Sequence, residues 1–244
     1  MPQPSQSFTR NALLSRMAPD DFALLQPHLE RVELQVHDEL MPPDADIAHV
    51  YFPESIMCSM VSTQEGDDKV EVGLVGYEGL TGIPVILRAG RSPVMGNVQI
   101  GGGTALRIPA ADILAACNRS ETLMTTLLRF VQATIVQAAQ TSASNANYAL
   151  PERLARWLLM CHDRVEGDDV PLTHEFMAIM LAVRRSGVTV TLHTLEGTGA
   201  IRSTRGLVTI RDRQRLEEIA GECYGAPESE YRRLLGPFGR SPAH

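Results

Sequence analysis

Basic and hydroxyl side chains cluster at the start of an apolar stripe with helical spacing in the second half of the chain. Val188, Leu192 and Leu195 recur at i, i+4 and i+7, which predicts an amphipathic helix that buries these three residues. Ser186 is predicted to cap this helix. Guanidinium and hydroxyl groups near a helix start can donate hydrogen bonds to phosphates and to base edges in a major groove. The outward-facing residues of this kind, with one small apolar neighbour, are Arg184, Arg185, Ser186, Thr189 and Val190.

A shorter helical pattern precedes this one, separated from it by a tight corner. Thr173 stands where an N-cap is preferred, and Ala178 supplies the small side chain needed where two helices cross. The pair predicts a helix-turn-helix. The alternative is an ordinary helical hairpin whose arginines are merely solvated, since short matches of this kind give many false positives.

The segment after the second helix predicts a β-hairpin with a basic tip. Short apolar runs at residues 200–201 and 207–210 flank Arg202, Ser203, Thr204, Arg205 and Gly206. A helix-turn-helix followed by such a hairpin is a winged helix, so this hairpin favours DNA over the plain hairpin alternative.

The segment from Pro151 to Arg211 resembles the C-terminal DNA-binding domain of the Crp/Fnr family of bacterial transcription regulators. The resemblance rests on the helix ERLARWLLM, the threonine at 173 and the closing LEGTGAIRSTRGLVTI. It implies a homodimer that binds double-stranded DNA at a near-palindromic promoter site, with RNA polymerase as a further partner. By position, the base contacts fall on Arg185, Ser186, Thr189 and Val190, with Thr173 near a phosphate.

Two residues depart from the pattern of that family. Ala182 occupies the turn position where glycine is usual, and Thr191 stands where a buried isoleucine or valine is common. A residue with a Cβ therefore stands at a turn position whose backbone conformation favours glycine.

The first half of the chain changes to a period of two after Arg31. Short alternating runs continue to Ile108, a single long run covers residues 50–61 as one strand or a bent pair, and a turn is predicted at residues 64–69. Many short strands with Gly and Pro corners predict a β-roll or jelly roll. The expected fold class is α+β, with a cyclic-nucleotide-binding-like sensor domain at 11–118, a long dimerisation helix at 119–147 and a winged helix-turn-helix at 151–225.

The resemblance places an effector pocket in residues 76–93. Arg91 and Ser92 resemble the Arg-Ser or Arg-Thr pair that binds a cyclic nucleotide phosphate, but Thr81 stands where the ribose-binding glutamate is expected and Glu78 is three residues away. Bound cyclic AMP or cyclic GMP is therefore not expected. Another small-molecule effector, or none, is the preferred interpretation, and no cofactor is predicted.

A helix of about 28 residues is predicted from Ser120, because no Pro or Gly occurs before Pro151. Stripes at sevenfold spacing run along it, and the polar, small-residue end of the helix suits close approach of a partner helix better than the core of one barrel. The stripes comprise Met124, Val131, Ala138 and Asn145; Leu127, Thr134 and Thr141; and the adjoining Leu128, Ile135 and Ser142.

The net charge of −7 is distributed unevenly along the chain. Residues 184–215 carry seven arginines against Glu196 and Asp212, a local +5, and the local value governs attraction to phosphate. No apolar run is long enough to cross a membrane, and the N-terminus lacks the apolar core of a signal peptide, so a cytoplasmic protein is expected.

Catalytic and metal chemistry is not predicted. The four cysteines are far apart, and His49 with Cys58, or Cys161 with His162, are interpreted as structural residues. The acidic pairs Asp67–Asp68 and Asp168–Asp169 are interpreted as solvated loops. Two alternatives to a DNA-binding regulator stay open: a small-molecule sensor whose winged helix contacts protein, and a metal enzyme built on a cupin-like barrel.

Overall fold

The structure is a computed structural model that describes residues 3–63 and 69–240. The chain divides into two compact units, Met1–Val61 with Val75–Ala133, and Ser62–Leu74 with Thr134–His244. The predicted turn at residues 64–69, apart from Lys69, and the Asp67–Asp68 pair lie outside the described residues.

Within residues 3–63 and 69–147, seven strands and five α-helices follow one another. The strands are β1 (Glu30–Leu34), β2 (Glu39–Met41), β3 (His49–Pro53), β4 (Met57–Thr63), β5 (Lys69–Val75), β6 (Met95–Ile100) and β7 (Gly103–Pro109). The helices are α1 (Ala12–Arg16), α2 (Pro19–Leu25), α3 (Ile83–Ile86), α4 (Ala110–Arg119) and α5 (Glu121–Asn147).

The strands form two sheets of order β1-β7-β3 and β2-β6-β4-β5. Pairing of β7 with β1 and β3, and of β6 with β2 and β4, is antiparallel. A core cluster joins the two sheets, because Ala105 comes from β7 while Cys58 and Val98 come from β4 and β6. The run at residues 50–61 is a bent pair of strands, interrupted at Glu54–Ser55.

Helix α5 is 27 residues long and begins where Ser120 was expected to open it. The Ser120 hydroxyl accepts a hydrogen bond from the Leu123 amide at 3.1 Å, so the predicted cap is present. The first half of α5 belongs to the first unit and its second half to the second.

The C-terminal part of the chain contains five helices and three strands. They are α6 (Leu150–His162), β8 (Asp169–Val170), α7 (His174–Met180), α8 (Arg185–Gly197), β9 (Ile201–Thr204), β10 (Leu207–Ile210), α9 (Arg213–Ala220) and α10 (Ala226–Leu235). The strands form an antiparallel sheet of order β8-β10-β9. Asp168 lies in the loop before β8 and both aspartates are exposed, as the sequence interpretation expected, whereas Asp169 is the first residue of β8 and Asp168 is also bonded to His162.

The predicted α+β class is confirmed: a β-sheet domain is followed by a long helix and a helix-turn-helix with wing strands. The boundaries at 118, 147 and 151 stay predictions. Among the described residues, none of the helices combines the length and apolar character required of a membrane span.

Candidate DNA interface

Helices α7 and α8 meet at a corner whose caps and turn are set by single residues. The Thr173 hydroxyl accepts a hydrogen bond from the Phe176 amide at 3.1 Å and caps α7, as predicted. The chain then reverses at Ala182, whose φ of +52° lies in the left-handed region. The Val183 amide returns to the Ala178 carbonyl at 3.0 Å and closes the corner.

Helix α8 is held by its buried stripe. Val188, Leu192 and Leu195 are each at most 1% exposed, so the inward face is the one predicted from the periodicity. The helix begins at Arg185, and its N-cap is Arg184, whose side chain makes no capping hydrogen bond. Ser186 therefore lies inside the first turn, and its predicted role as the cap is wrong.

The exposed face of α8 carries the side chains that were expected to reach DNA. Arg184, Arg185 and Ser186 are exposed, and Val190 is 66% exposed. Thr189 is half-buried, and its hydroxyl donates to the Arg185 carbonyl at 3.1 Å.

His174 joins α7 to this face. Its Nδ1 lies 3.0 Å from Thr189 Oγ1, which accepts the histidine proton because the hydroxyl proton is already directed at the Arg185 carbonyl. The imidazole therefore lies beside Thr189, one turn from the start of α8. The sequence signal was the position of His174 directly after the cap Thr173, which alone does not distinguish it from a solvated histidine.

The wing is a hairpin of β9 and β10 with a two-residue turn at Arg205 and Gly206. Thr204 pairs with Leu207, and Gly206 has a φ of +76°, which a glycine adopts without strain. Glu196 of α8 accepts a hydrogen bond from the Ser203 amide of β9 at 2.6 Å, which ties the wing to the end of the recognition helix. The predicted wing is confirmed, with Arg202 and Arg205 exposed.

A groove of about 740 Å³ lies between the start of α7, the exposed face of α8 and the wing turn. Two carboxylates and two imidazoles share this groove with the arginines, and His193 is bonded to Glu196 at 3.2 Å. Its lining residues are Thr173, His174, Glu175, Arg185, Leu192, His193, Glu196, Ser203, Thr204, Arg205 and Gly206.

The arginines of this surface have no acidic partner within residues 3–63 and 69–240, whereas two other arginines of the predicted cluster do. Arg213 binds Asp163 at 2.8 Å and Arg215 binds Glu218 at 2.9 Å. The arginines available to an anionic partner are Arg184, Arg185, Arg202, Arg205 and Arg211.

The four candidate effector residues have partners within their own part of the fold. Arg91 pairs with Asp46 at 3.0 Å on the surface. Glu78 is buried and accepts from the Gly76 amide at 3.0 Å, while the buried Thr81 hydroxyl accepts from the Tyr51 amide at 3.3 Å. Ser92 accepts from the Val94 amide at 3.0 Å. These contacts do not bring the four side chains together around a common site.

The four cysteines, which the sequence analysis considered as metal ligands or left unpaired, are all buried as free thiols. Burial raises the pKa of the Cys58 and Cys161 thiols, which opposes formation of the thiolate that a metal or an electrophile needs. Within the described part of the chain, no group of three potential ligands is placed to hold a metal ion.

Residues 152–219 match the Crp-like helix-turn-helix domain. No curated protein sequence is similar enough to this chain to count as a match.

Solved structures extend the likeness over most of the chain. A putative Crp/Fnr transcriptional regulator from Eubacterium rectale is 17% identical, with a TM-score of 0.67 over 85% of this chain and 97% of that one. FixK2 from Bradyrhizobium japonicum is 13% identical, with a TM-score of 0.67 over 79% and 98%. The c-di-GMP-responsive global regulator CLP of Xanthomonas campestris is 12% identical, with a TM-score of 0.65 over 79% and 99%. At these identities the likeness shows a shared fold.

Proposed function

We propose that the chain is a DNA-binding transcriptional regulator of the Crp/Fnr type that acts as a homodimer on a near-palindromic promoter site, a proposal supported by the match of residues 152–219 to the Crp-like helix-turn-helix domain and by the shared fold. The first turn of α8 enters the major groove of each half-site, with Arg185 and Ser186 facing base edges and Thr189 and Val190 beside them. Two such helices must lie about 34 Å apart to enter successive major grooves.

The observation that carries this proposal is the exposed basic face of α8, held outward by a fully buried aliphatic stripe. The same surface continues into the wing, where Arg202 and Arg205 are exposed. Arginine can bind the O6 and N7 atoms of guanine in a bidentate manner, and it can also bind phosphates. Thr173 and the wing arginines are assigned to phosphates.

Arg185→Ala tests the assignment of the recognition helix. The variant is expected to lose about 1–3 kcal/mol of discrimination at one base pair of the half-site, because a bidentate base contact is removed. Binding is measured by fluorescence anisotropy on a duplex selected from random sequence and on its single-base variants. Arg233→Ala removes the same charge from α10, where Arg233 binds Glu230, and should leave discrimination intact. An unchanged base preference in Arg185→Ala would refute the assignment.

The alternative of a protein-binding winged helix predicts a different result in the same measurement. For a regulator that binds DNA, the logarithm of the binding constant falls linearly with the logarithm of the salt concentration, since each neutralised phosphate releases counterions. A winged helix that contacts only protein shows no binding to a DNA duplex, even at low salt concentration. The exposed, unpaired arginines favour the first outcome.

Regulation by an effector in the β-roll forms the second part of the proposal. A ligand that binds one arrangement of the dimer better than another shifts the population toward it and so changes the spacing of the recognition helices. Because Arg91, Glu78 and Thr81 are bonded elsewhere, we infer that this ligand is not a cyclic nucleotide bound through them. Thermal stabilisation by cyclic AMP or cyclic GMP that disappears in Arg91→Ala would contradict this inference.

Contact with RNA polymerase is proposed on the family resemblance alone, and transcription reconstituted on the selected site tests it.

A further inference from the structure

The chain after the wing folds back onto the DNA-binding unit. Helix α10 is followed by a short segment in which the Phe238 ring lies 4.8 Å from the Tyr231 ring and 4.9 Å from the Arg164 guanidinium carbon. The Phe238 carbonyl accepts a hydrogen bond from Arg232 at 3.2 Å. Residues 226–240, hereafter the C-terminal segment, are therefore fixed in place up to Arg240.

Arg240 binds the loop between α6 and β8 through its whole guanidinium group. Nη1 donates to Asp168 Oδ1 at 2.9 Å, Nε donates to the His162 carbonyl at 3.2 Å, and Nη2 donates to the Val165 carbonyl at 3.3 Å and to the Gly167 carbonyl. A planar group with five N–H donors on three nitrogens can reach several separated loop acceptors at once, whereas a lysine has its three donors on a single nitrogen.

The backbone of the C-terminal segment approaches the same loop closely. The Arg240 amide donates to Asp163 Oδ1 at 3.2 Å, and Asp163 also binds Arg213 at 2.8 Å and the Tyr224 hydroxyl at 2.6 Å. Gly239 has a φ of +74°, and a Cβ placed there would lie 3.1 Å from the Asp163 carboxylate. The backbone conformation therefore favours glycine at this position, and a Cβ would press on the Asp163 carboxylate.

The loop that Arg240 binds continues directly into the wing sheet. The Asp168 carbonyl accepts from the Ile210 amide at 2.9 Å, and Asp169 pairs with Thr209, whose hydroxyl donates to the Asp169 carboxylate at 2.6 Å. Strand β8 is only two residues long, so its own pairing supplies little stability and its position depends on the loop before it.

We propose that Arg240 is a positioning residue for the wing: by fixing residues 163–168 it sets strand β8, and through β10 it sets the height of the Arg205 turn against the DNA backbone. This inference rests on the proposed function, because it requires that the wing contact DNA. The C-terminal segment is then a part of the DNA-binding machinery, although it lies outside the matched residues 152–219.

A double-mutant cycle with Arg205→Ala tests the proposal. Arg205→Ala is expected to weaken binding to the selected duplex about tenfold, the order of one lost charge-assisted contact, and Arg240→Ala about three- to tenfold. In the Arg205→Ala background, Arg240→Ala should cause no further loss, because the contact it positions is already gone. The matched control is Arg233→Ala, which changes the same charge in the same segment without touching the loop.

Hydrogen exchange of the free protein gives a second readout that does not depend on DNA. The Val208 and Ile210 amides of β10 should exchange faster in Arg240→Ala than in Arg233→Ala, while the Leu192 and Leu195 amides of α8 should be unchanged. Equal exchange in β10, or additive losses in the double mutant, would overturn the positioning role while leaving the proposed function intact. Unchanged binding in Arg205→Ala would instead refute the wing contact, and the inference with it.

Discussion

Ala182 is the residue at which the corner of the helix-turn-helix reverses direction, and it does so at a φ of +52°. A left-handed conformation costs a residue with a Cβ roughly 1–2 kcal/mol, which glycine avoids. Glycine also loses more backbone entropy on folding than alanine does, so part of the stability gained by relieving this strain is cancelled. The helix-turn-helix therefore carries local strain at the position where the family pattern has glycine.

Ala182→Gly is expected to raise the free energy of unfolding by about 0.5–1 kcal/mol, the net of relieved strain and added chain entropy. The measurement is the urea midpoint, with DNA affinity unchanged. Ala178→Gly is the matched control, because Ala178 is buried within α7 and a glycine there should destabilise by about 1 kcal/mol. A stability of Ala182→Gly at or below that of the wild type would show that the corner is not strained.

Single residues of the candidate interface differ in how far the sequence could predict them. The burial of Val188, Leu192 and Leu195 follows from their spacing alone, and Thr173 caps α7 as its type suggests. Ser186 did not follow the same rule, because the backbone is already helical one residue earlier and Arg184 takes the extended cap conformation. The contact between His174 and Thr189 joins two helices, so neither helix pattern contains it.

Helix α5 exposes a continuous stripe along its length. Leu128 and Ile135 are 41% and 58% exposed, whereas Leu127 and Val131, of the other two stripes, are buried. Some of the exposed residues of α5 repeat at intervals of four and three, the spacing of a two-helix seam. They are Leu128, Gln132, Ile135, Ala139, Ser142 and Ala146. The proposed dimer therefore uses the stripe of Leu128 and Ile135, and not that of Leu127.

Ile135→Asp should convert the dimer to a monomer, because two carboxylates would face each other across the seam. Since Ile135 is exposed in the single chain, the fold of the monomer should be kept, and sedimentation equilibrium together with circular dichroism measures both. Arg129→Asp is the control: it is exposed on the same helix but lies about 120° around its axis. A dimer that persists in Ile135→Asp would place the interface elsewhere, and DNA affinity should fall in parallel with any loss of dimer.

Strands and helices were predictable to the extent that their length gave a clear period. The long helix and the wing were both expected, whereas β2 and β8 were not, because three and two residues are too few to show an alternation. Strand β8 exists because β10 is already held by β9 and leaves its other edge free for two residues of the α6–β8 loop. Its formation is decided by tertiary pairing and not by the local sequence.

At the scale of the whole molecule, fewer arginines are free to bind an anionic partner than the sequence count in residues 184–215 suggests. Of the seven arginines in residues 184–215, Arg213 and Arg215 are paired with acidic neighbours, so the basic surface is narrower than the sequence cluster. The partners of Arg213 include Asp163, 50 positions earlier in the chain, and Arg240 reaches the His162 carbonyl across 78 positions. Periodicity and motif spacing cannot predict contacts over such separations, because only the folded arrangement brings these groups together.

His162 lies at the centre of that long-range network. Its protonation makes the free energy of unfolding depend on pH. Its side chain is buried, with Nε2 3.0 Å from Asp168 Oδ1 and Nδ1 3.0 Å from Arg213 Nη1. Because the guanidinium can only donate, Nδ1 accepts and the proton of the neutral ring is on Nε2, directed at Asp168. Burial, reinforced by the charges of Arg240 and Arg213, lowers the pKa of His162 below its usual value, although the Asp168 bond opposes this shift.

The unfolded chain therefore takes up this proton at a higher pH than the folded chain. The stabilising contribution of neutral His162 is complete above about pH 6.5 and is lost as the pH falls through the lowered pKa, with a slope of at most about 1.4 kcal/mol per pH unit for one proton. Urea unfolding between pH 7.5 and 5 measures it. The free energy of unfolding of His162→Gln should be lower than that of the wild type at pH 7.5 and should change less between pH 7.5 and pH 5.

The buried carboxyl of Glu228 responds to pH with the opposite sign. Burial raises its pKa, so the folded chain binds that proton more readily than the unfolded one, and stability from this group grows as the pH falls. Glu228 is present in both the wild type and His162→Gln, so the difference between their two pH profiles isolates the histidine. Parallel profiles for these two proteins across pH 7.5 to 5 would show that the pKa of His162 is the same in the folded and the unfolded chain, and would remove the proposed proton link.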